Sequence, residues 1–214
     1  MKYSVTNRSD QTVNVSVCGT MYNFTGFTSY DGYDRLYQDG IPVNSFIEND
    51  GLSGLYFESS EIDKKSVNYG NLALFSSNEN ITVKPYWQDG GWWDGAEEFW
   101  QNFSKTGRLT RCVKSEAVGS NVIGSDAPRK IGSLCASEVL IPGETKEFVF
   151  YLGWYFPNRY GWWPDGHCRE AEEKEHNKIW QNYYSTIWKS AKDVVEYFFK
   201  NEKELCHFSS LFSN

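Results

Sequence analysis

The chain has 214 residues, 40% of them hydrophobic and 23% charged, with a formal net charge of −7 and a pI near 5.1. An acidic chain with no basic stripe is a poor match for phosphate backbones or anionic membrane surfaces, which excludes nucleic acid as its main partner. No apolar run approaches the ~18 residues of a transmembrane helix, and the start Met1-Lys2-Tyr3-Ser4-Val5-Thr6-Asn7 reads as strand rather than signal peptide, so a cytoplasmic protein without a transmembrane segment is expected.

From residue 2 to about 156 the pattern is that of an antiparallel β-sandwich. Lys2 to Thr6 leads into the turn Asn7-Arg8-Ser9-Asp10-Gln11, after which Val13, Val15 and Val17 alternate with Asn14 and Ser16, predicting a hairpin. Residues 24–51, rich in Gly, Asp, Asn and Tyr, read as a long surface loop. Strands are predicted at 54–59, 69–76 and 81–87, each bounded by turn-forming residues. A second loop carries Gly90-Gly91-Trp92-Trp93-Asp94-Gly95 into a short helix over 96–104. Ser133 to Leu140, the turn Ile141-Pro142-Gly143-Glu144 and Phe148 to Leu152 predict a second hairpin.

After Leu152 comes the aromatic stretch Trp154-Tyr-Phe-Pro-Asn-Arg-Tyr-Gly-Trp-Trp-Pro-Asp-Gly-His167. Beyond it Ile179/Trp180, Tyr183/Tyr184, Ile187/Trp188, Ala191, Val194/Val195 and Phe198/Phe199 recur every three to four residues, predicting one amphipathic helix over 176–200. Leu205, Phe208, Leu211 and Phe212 begin a further apolar helical stripe that runs to the last residues, as expected of a segment of a longer polypeptide whose helical domain lies downstream. The predicted organisation is a sandwich over 1–156, an aromatic-rich linker over 157–175, and a helical linker with the start of a truncated helical domain over 176–214.

Aromatic residues make up 17% of the chain, which points to ring-lined surfaces as well as a core. Flat rings beside polar side chains suit a sugar, whose ring has apolar C–H faces and a rim of hydroxyls. Trp92, Trp93, Asn158, Arg159, Trp162, Trp163, Asp165 and His167 are therefore the candidate substrate-binding or domain-interface residues. Glu97 and Glu98 are neighbours on one helix and diverge by ~100°, so they cannot flank one glycosidic bond. His167-Cys168, His176 and Cys206-His207 lack the spacing of a metal site, and no phosphate-cradling glycine loop is present, so neither metal nor cofactor is expected. The odd set Cys18, Cys112, Cys135, Cys168 and Cys206 has no C-x-x-C spacing and reads as reduced thiols. Asn7, Asn14, Asn23, Asn80 and Asn102 each begin a glycosylation sequon, a triplet that Ser/Thr/Asn-rich strands and turns also generate without any glycan.

The order of an Asn-x-Ser strand, an Ile-Pro-Gly-Glu-Thr turn at 141–145, Phe-Val-Phe-Tyr-Leu-Gly-Trp-Tyr-Phe-Pro-Asn-Arg at 148–159, then Tyr183-Tyr184 and Ala191-x-Asp193-Val194-Val195 resembles the amino-terminal domain of glycoside hydrolase family 116, the non-lysosomal glucosylceramidase and bacterial β-glucosidase group. The similarity is best over 138–214 and looser over 2–23, and the chain departs from better-known members around Trp92-Trp93 and over Trp162 to His167. The resemblance implies a supersandwich-like β domain, a linker helix and a carboxyl-terminal (α/α)₆ barrel. The barrel would carry the two carboxylates of a retaining β-glucosidase, ~5 to 5.5 Å apart, so no catalytic residue is assigned to this chain. Its expected partners are its own carboxyl-terminal catalytic domain and a β-glucoside ligand. The alternative is a stand-alone carbohydrate-binding sandwich without hydrolytic activity.

Overall fold

The computed structural model describes residues 1–30, 36–87, 94–110, 122–123, 131–161 and 178–211. The strands are β1 (Lys2–Thr6), β2 (Val13–Tyr22), β3 (Phe27–Tyr30), β4 (Leu36–Gln38), β5 (Ile41–Asn49), β6 (Leu52–Ser60), β7 (Asn71–Ser76), β8 (Ile81–Lys84), β9 (Val122–Ile123), β10 (Ile131–Leu140), β11 (Thr145–Tyr155), β12 (Asn158–Tyr160) and β13 (Ile179–Gln181). The helices are α1 (Asp94–Thr106) and α2 (Ala191–Leu211), with a single 3₁₀ turn at Tyr183–Thr186.

A five-stranded sheet in the order β1-β11-β7-β6-β5 faces a three-stranded sheet in the order β2-β10-β8, and the strand pairs in both are antiparallel. Between them Leu55, Phe57, Leu72, Leu74, Phe148 and Phe150 of the larger sheet meet Leu134 and Ala136 of the smaller, with Val5, Val15 and Val17 at the margin. The other face of the larger sheet is covered by α2, where Leu52, Ala73, Phe75, Tyr151 and Tyr155 pack on Ala191 and Val195. The layers are therefore sheet, sheet and helix, and β7 in the middle is buried at every residue. Gly153 on β11 permits the close approach of the helix, since a Cβ there would stand 2.7 Å from Val195 Cγ2 and 2.9 Å from the Ala191 carbonyl oxygen.

The strands expected on either side of the two turns form, but not as hairpins. β1 pairs with β11 and β2 with β10, so each turn carries the chain from one sheet to the other. The two crossings lie side by side and interlock at Asn7. Its N–H donates to the Glu144 carbonyl at 2.9 Å, its carbonyl accepts from Gly143 N–H at 2.8 Å, and its buried amide donates to the carbonyls of Gln11 and Leu140. Crossing rather than folding back lets Val5, Val15 and Val17 contribute to one inter-sheet core.

Two further expectations are corrected. The supposed loop 24–51 contains β3, β4 and the nine-residue β5, which pairs with β6 along its whole length. The supposed helix 176–200 is instead β13, the 3₁₀ turn, and only then α2. Ser190 starts that helix. Its hydroxyl accepts the Asp193 N–H at 3.1 Å, while the Asp193 carboxylate accepts the Lys189 N–H at 2.9 Å, a reciprocal capping arrangement. The stripe at Leu205, Phe208 and Leu211 belongs to this same helix rather than to a further one.

Candidate domain-docking surface

At the end of β11 the chain is gathered by polar groups. Tyr184 hydroxyl donates to the Phe156 carbonyl and accepts the Phe156 N–H, the Asn182 amide donates to the same carbonyl at 3.0 Å, and Asn182 N–H donates to Pro157 O at 2.8 Å. These bonds turn β12 and β13 into a small antiparallel ribbon, with Asn158 opposite Gln181, Arg159 opposite Trp180 and Tyr160 opposite Ile179. Gly161 N–H closes it on Lys178 O at 2.9 Å. Phe156 is stacked on Phe24, ring centroids 5.9 Å apart, and packs against the inter-sheet core, so the ribbon is anchored to the sandwich.

Of the sequence-derived candidates, Asn158 and Arg159 lie among the described residues. Asn158 is buried and its amide donates to the carbonyls of Lys64 and Ser66 at 2.8 and 2.7 Å, fixing the segment before β7 against the ribbon. Arg159 is exposed; its guanidinium donates to Tyr160 O at 3.3 Å and sits 5.8 Å from the Trp180 ring centroid, with Lys178 Nζ 5.9 Å from the same ring. Trp92, Trp93, Trp162, Trp163, Asp165 and His167 lie outside the described residues.

The ribbon and the 3₁₀ turn that follows it display rings that sequence periodicity assigns to a buried helical stripe. Trp180 is 50% exposed and Tyr183 80%, beside half-exposed Tyr160 and Ile179. A second apolar zone follows α2. Its inner side, Ala191, Val195 and Phe199, rests on the sheet, and Glu202 accepts the Tyr151 hydroxyl at 2.9 Å. Past that point Phe208 and Leu211 are exposed, and a groove of about 630 Å³ runs between the helix and the β1/β11 edge, lined by Val149, Leu152, Val194 and Phe198.

Charged groups here do structural work. Glu98 is ion-paired with buried Lys84 at 2.8 Å and accepts the Asn102 amide, whereas Glu97 accepts from Gln101, so the two neighbouring carboxylates serve different partners. Burial raises the Tyr56, Tyr69, Tyr151 and Tyr155 hydroxyls above the usual phenol range, holding the rings near α2 neutral. Among the described residues no group of three His, Cys, Asp or Glu is arranged to hold a metal ion, and no helix is long and apolar enough to cross a membrane.

A family model described as "beta-glucosidase 2, glycosyl-hydrolase family 116 N-term" matches residues 1–205. The chain belongs to this family. The comparison with curated proteins gives no match. For a family 116 amino-terminal domain the match runs through the sandwich, the ribbon and most of α2.

Proposed function

We propose that this family 116 amino-terminal domain is non-catalytic and packs on a carboxyl-terminal (α/α)₆ barrel, where it helps shape the pocket for a β-glucoside. The observation that carries the reading is the display of Trp180 on a ribbon, and of Tyr183 on the turn after it, that buried Asn158 and half-buried Asn182 hold in place. Exposed rings on a rigid platform are the usual anchors of an interface. The exposed far half of α2 and its apolar groove extend the surface on which a second domain would rest.

In this reading Asn158 positions the ribbon and Arg159 orients Trp180, while Trp162, Trp163, Asp165 and His167, with Trp92 and Trp93 of the other loop, contact the barrel or the rim of its sugar pocket. A cytoplasmic location belongs to the same proposal. The test is made in the full-length parent enzyme. Trp180→Ala with Tyr183→Ala, and separately Trp162→Ala with Trp163→Ala, are expected to lower thermal stability or raise KM for an aryl β-glucoside. Wild-type stability and kinetics in both pairs would reject docking, and glycan binding by the chain alone would favour the stand-alone carbohydrate-binding reading.

A further inference from the structure

The outer face of the three-stranded sheet holds a thiol pair that neither the core nor the docking surface uses. Cys18 of β2 and Cys135 of β10 are direct register partners, and both are free. Directly opposed residues of an antiparallel ladder project from the same face with Cα atoms ~4.5 to 5.5 Å apart, within the ~4.4 to 6.8 Å that a disulfide spans. The pairs on either side show that side chains on this face do meet: Ser16 and Ser137 hydroxyls are 3.0 Å apart, and those of Thr20 and Ser133 are 2.8 Å apart. The two cysteines sit between these contacts.

Their surroundings are unequal. Cys135 is fully buried beneath the turn that ends α1, its sulfur 3.4 Å from the Gly107 carbonyl oxygen and 3.7 Å from the Ser137 hydroxyl. Cys18, on the sheet's edge strand, is only half-buried. The neighbouring Cys135 thiol, with burial adding to its effect, raises the Cys18 thiol above its ordinary range. The Cys18 thiol lowers Cys135 despite its burial, and the Ser137, Thr82 and Ser16 hydroxyls act in the same sense.

We propose that Cys18 and Cys135 form an oxidation site at which a low-molecular-weight disulfide, RSSR, converts the two thiols into a cross-strand disulfide. Cys18, the less buried of the two, gives its proton to solvent and attacks RSSR as the thiolate. The Cys18–SR bond forms and RS⁻ leaves. Cys135 then gives its proton to that thiolate, attacks the Cys18 sulfur and expels the second RS⁻. The protein loses two electrons, and RSSR gains them as RSH and RS⁻. The product staples the edge strand β2 to β10 and removes the thiol donor from the Gly107 carbonyl.

The experiment uses the whole chain, folded, in reduced and then oxidised glutathione, followed by alkylation, proteolysis without reductant and mass spectrometry. The expected result is one crosslinked peptide pair containing Cys18 and Cys135, lighter by two hydrogens than the separate peptides, with both thiols lost in step. Cys135→Ser is expected to trap glutathione on Cys18, and Cys18→Ser to leave Cys135 unmodified in the folded chain. A wild-type chain that retains a stable Cys18–glutathione adduct overturns the proposal, as do crosslinks made chiefly through Cys112, Cys168 or Cys206. Because the wild-type peptide map decides by itself, a variant that fails to fold does not rescue it.

Discussion

The inter-sheet core and the ribbon at the end of β11 are both rich in aromatic residues, yet they treat the rings in opposite ways. Phe57, Phe148 and Phe150 are at most 2% exposed and hold the two sheets together, whereas Trp180 and Tyr183 stand in solvent. In the core the rings are the adhesive. In the ribbon the adhesive is polar: Asn158, Asn182 and Tyr184 secure the backbone through carbonyl contacts and leave the rings free for another surface. Removing a ring should therefore damage the fold in one region and only recognition in the other.

Phe148→Ala is the severest test. Deleting a fully buried ring from between the sheets is expected to cost about 3 to 5 kcal/mol by transfer and cavity terms, read as a shift in the urea midpoint at unchanged slope. A loss under about 1 kcal/mol would mean the sheets do not depend on this core. Asn71→Ala comes next. Its buried Oδ1 accepts the Ala191 N–H at 2.6 Å where α2 begins, and orphaning that donor is expected to cost about 1 to 3 kcal/mol. Hydrogen exchange should accelerate in the first turn of α2 while β10 stays protected; equal acceleration in both would show that the helix is not a separable layer.

Much of this division was readable from residues alone, and the failures share a cause. β6, β7, β8, β10, β11 and α1 all form over or near their expected ranges because local alternation and turn residues specify them. Pairing partners are set by contacts far apart in sequence, so both turns read as hairpins, and only the long-range bonds of Asn7 join them as adjacent crossings. β5 is hidden in the sequence because Pro42 and the buried Asn44 interrupt its apolar pattern; Pro42 is tolerated on an edge strand, and Asn44 donates to Pro85 O at 2.6 Å. Asn7 and Asn23 look like glycan acceptors in sequence, but each is buried and uses its Oδ1 to accept both the N–H and the hydroxyl of the Ser or Thr two residues on. At the candidate site Asn158 and Arg159 stood out through their place beside the rings, whereas Trp180 and Tyr183 were absorbed into a helical period. The signal against that helix is the spacing Ser190-x-x-Asp193, which caps α2 eleven residues after Ile179.

Asn158→Ala sharpens the contrast at smaller scale. Losing two amide donors frees the carbonyls of Lys64 and Ser66, which water can satisfy at this partly open position, so about 1 kcal/mol is expected. Limited proteolysis should increase near residues 61–70; unchanged cleavage and stability would leave the ribbon held by Asn182 and Tyr184 alone.

The smallest effect is the most telling. Trp180→Ala with Tyr183→Ala removes two large rings, and in a core such a pair would unfold a domain of ordinary stability. Here both rings face solvent, and the bonds that fix their backbone come from other side chains. The urea midpoint of the chain alone should therefore stay within about 0.5 kcal/mol of wild type. The cation–π contacts of Arg159 and Lys178 to Trp180 are lost as well, but at exposed sites each contributes no more than about 1 kcal/mol, offset by the side-chain freedom regained. A loss of about 2 kcal/mol or more would place these rings in the domain's own core and remove the case for a docking surface, while near-neutrality leaves them no structural duty within this chain.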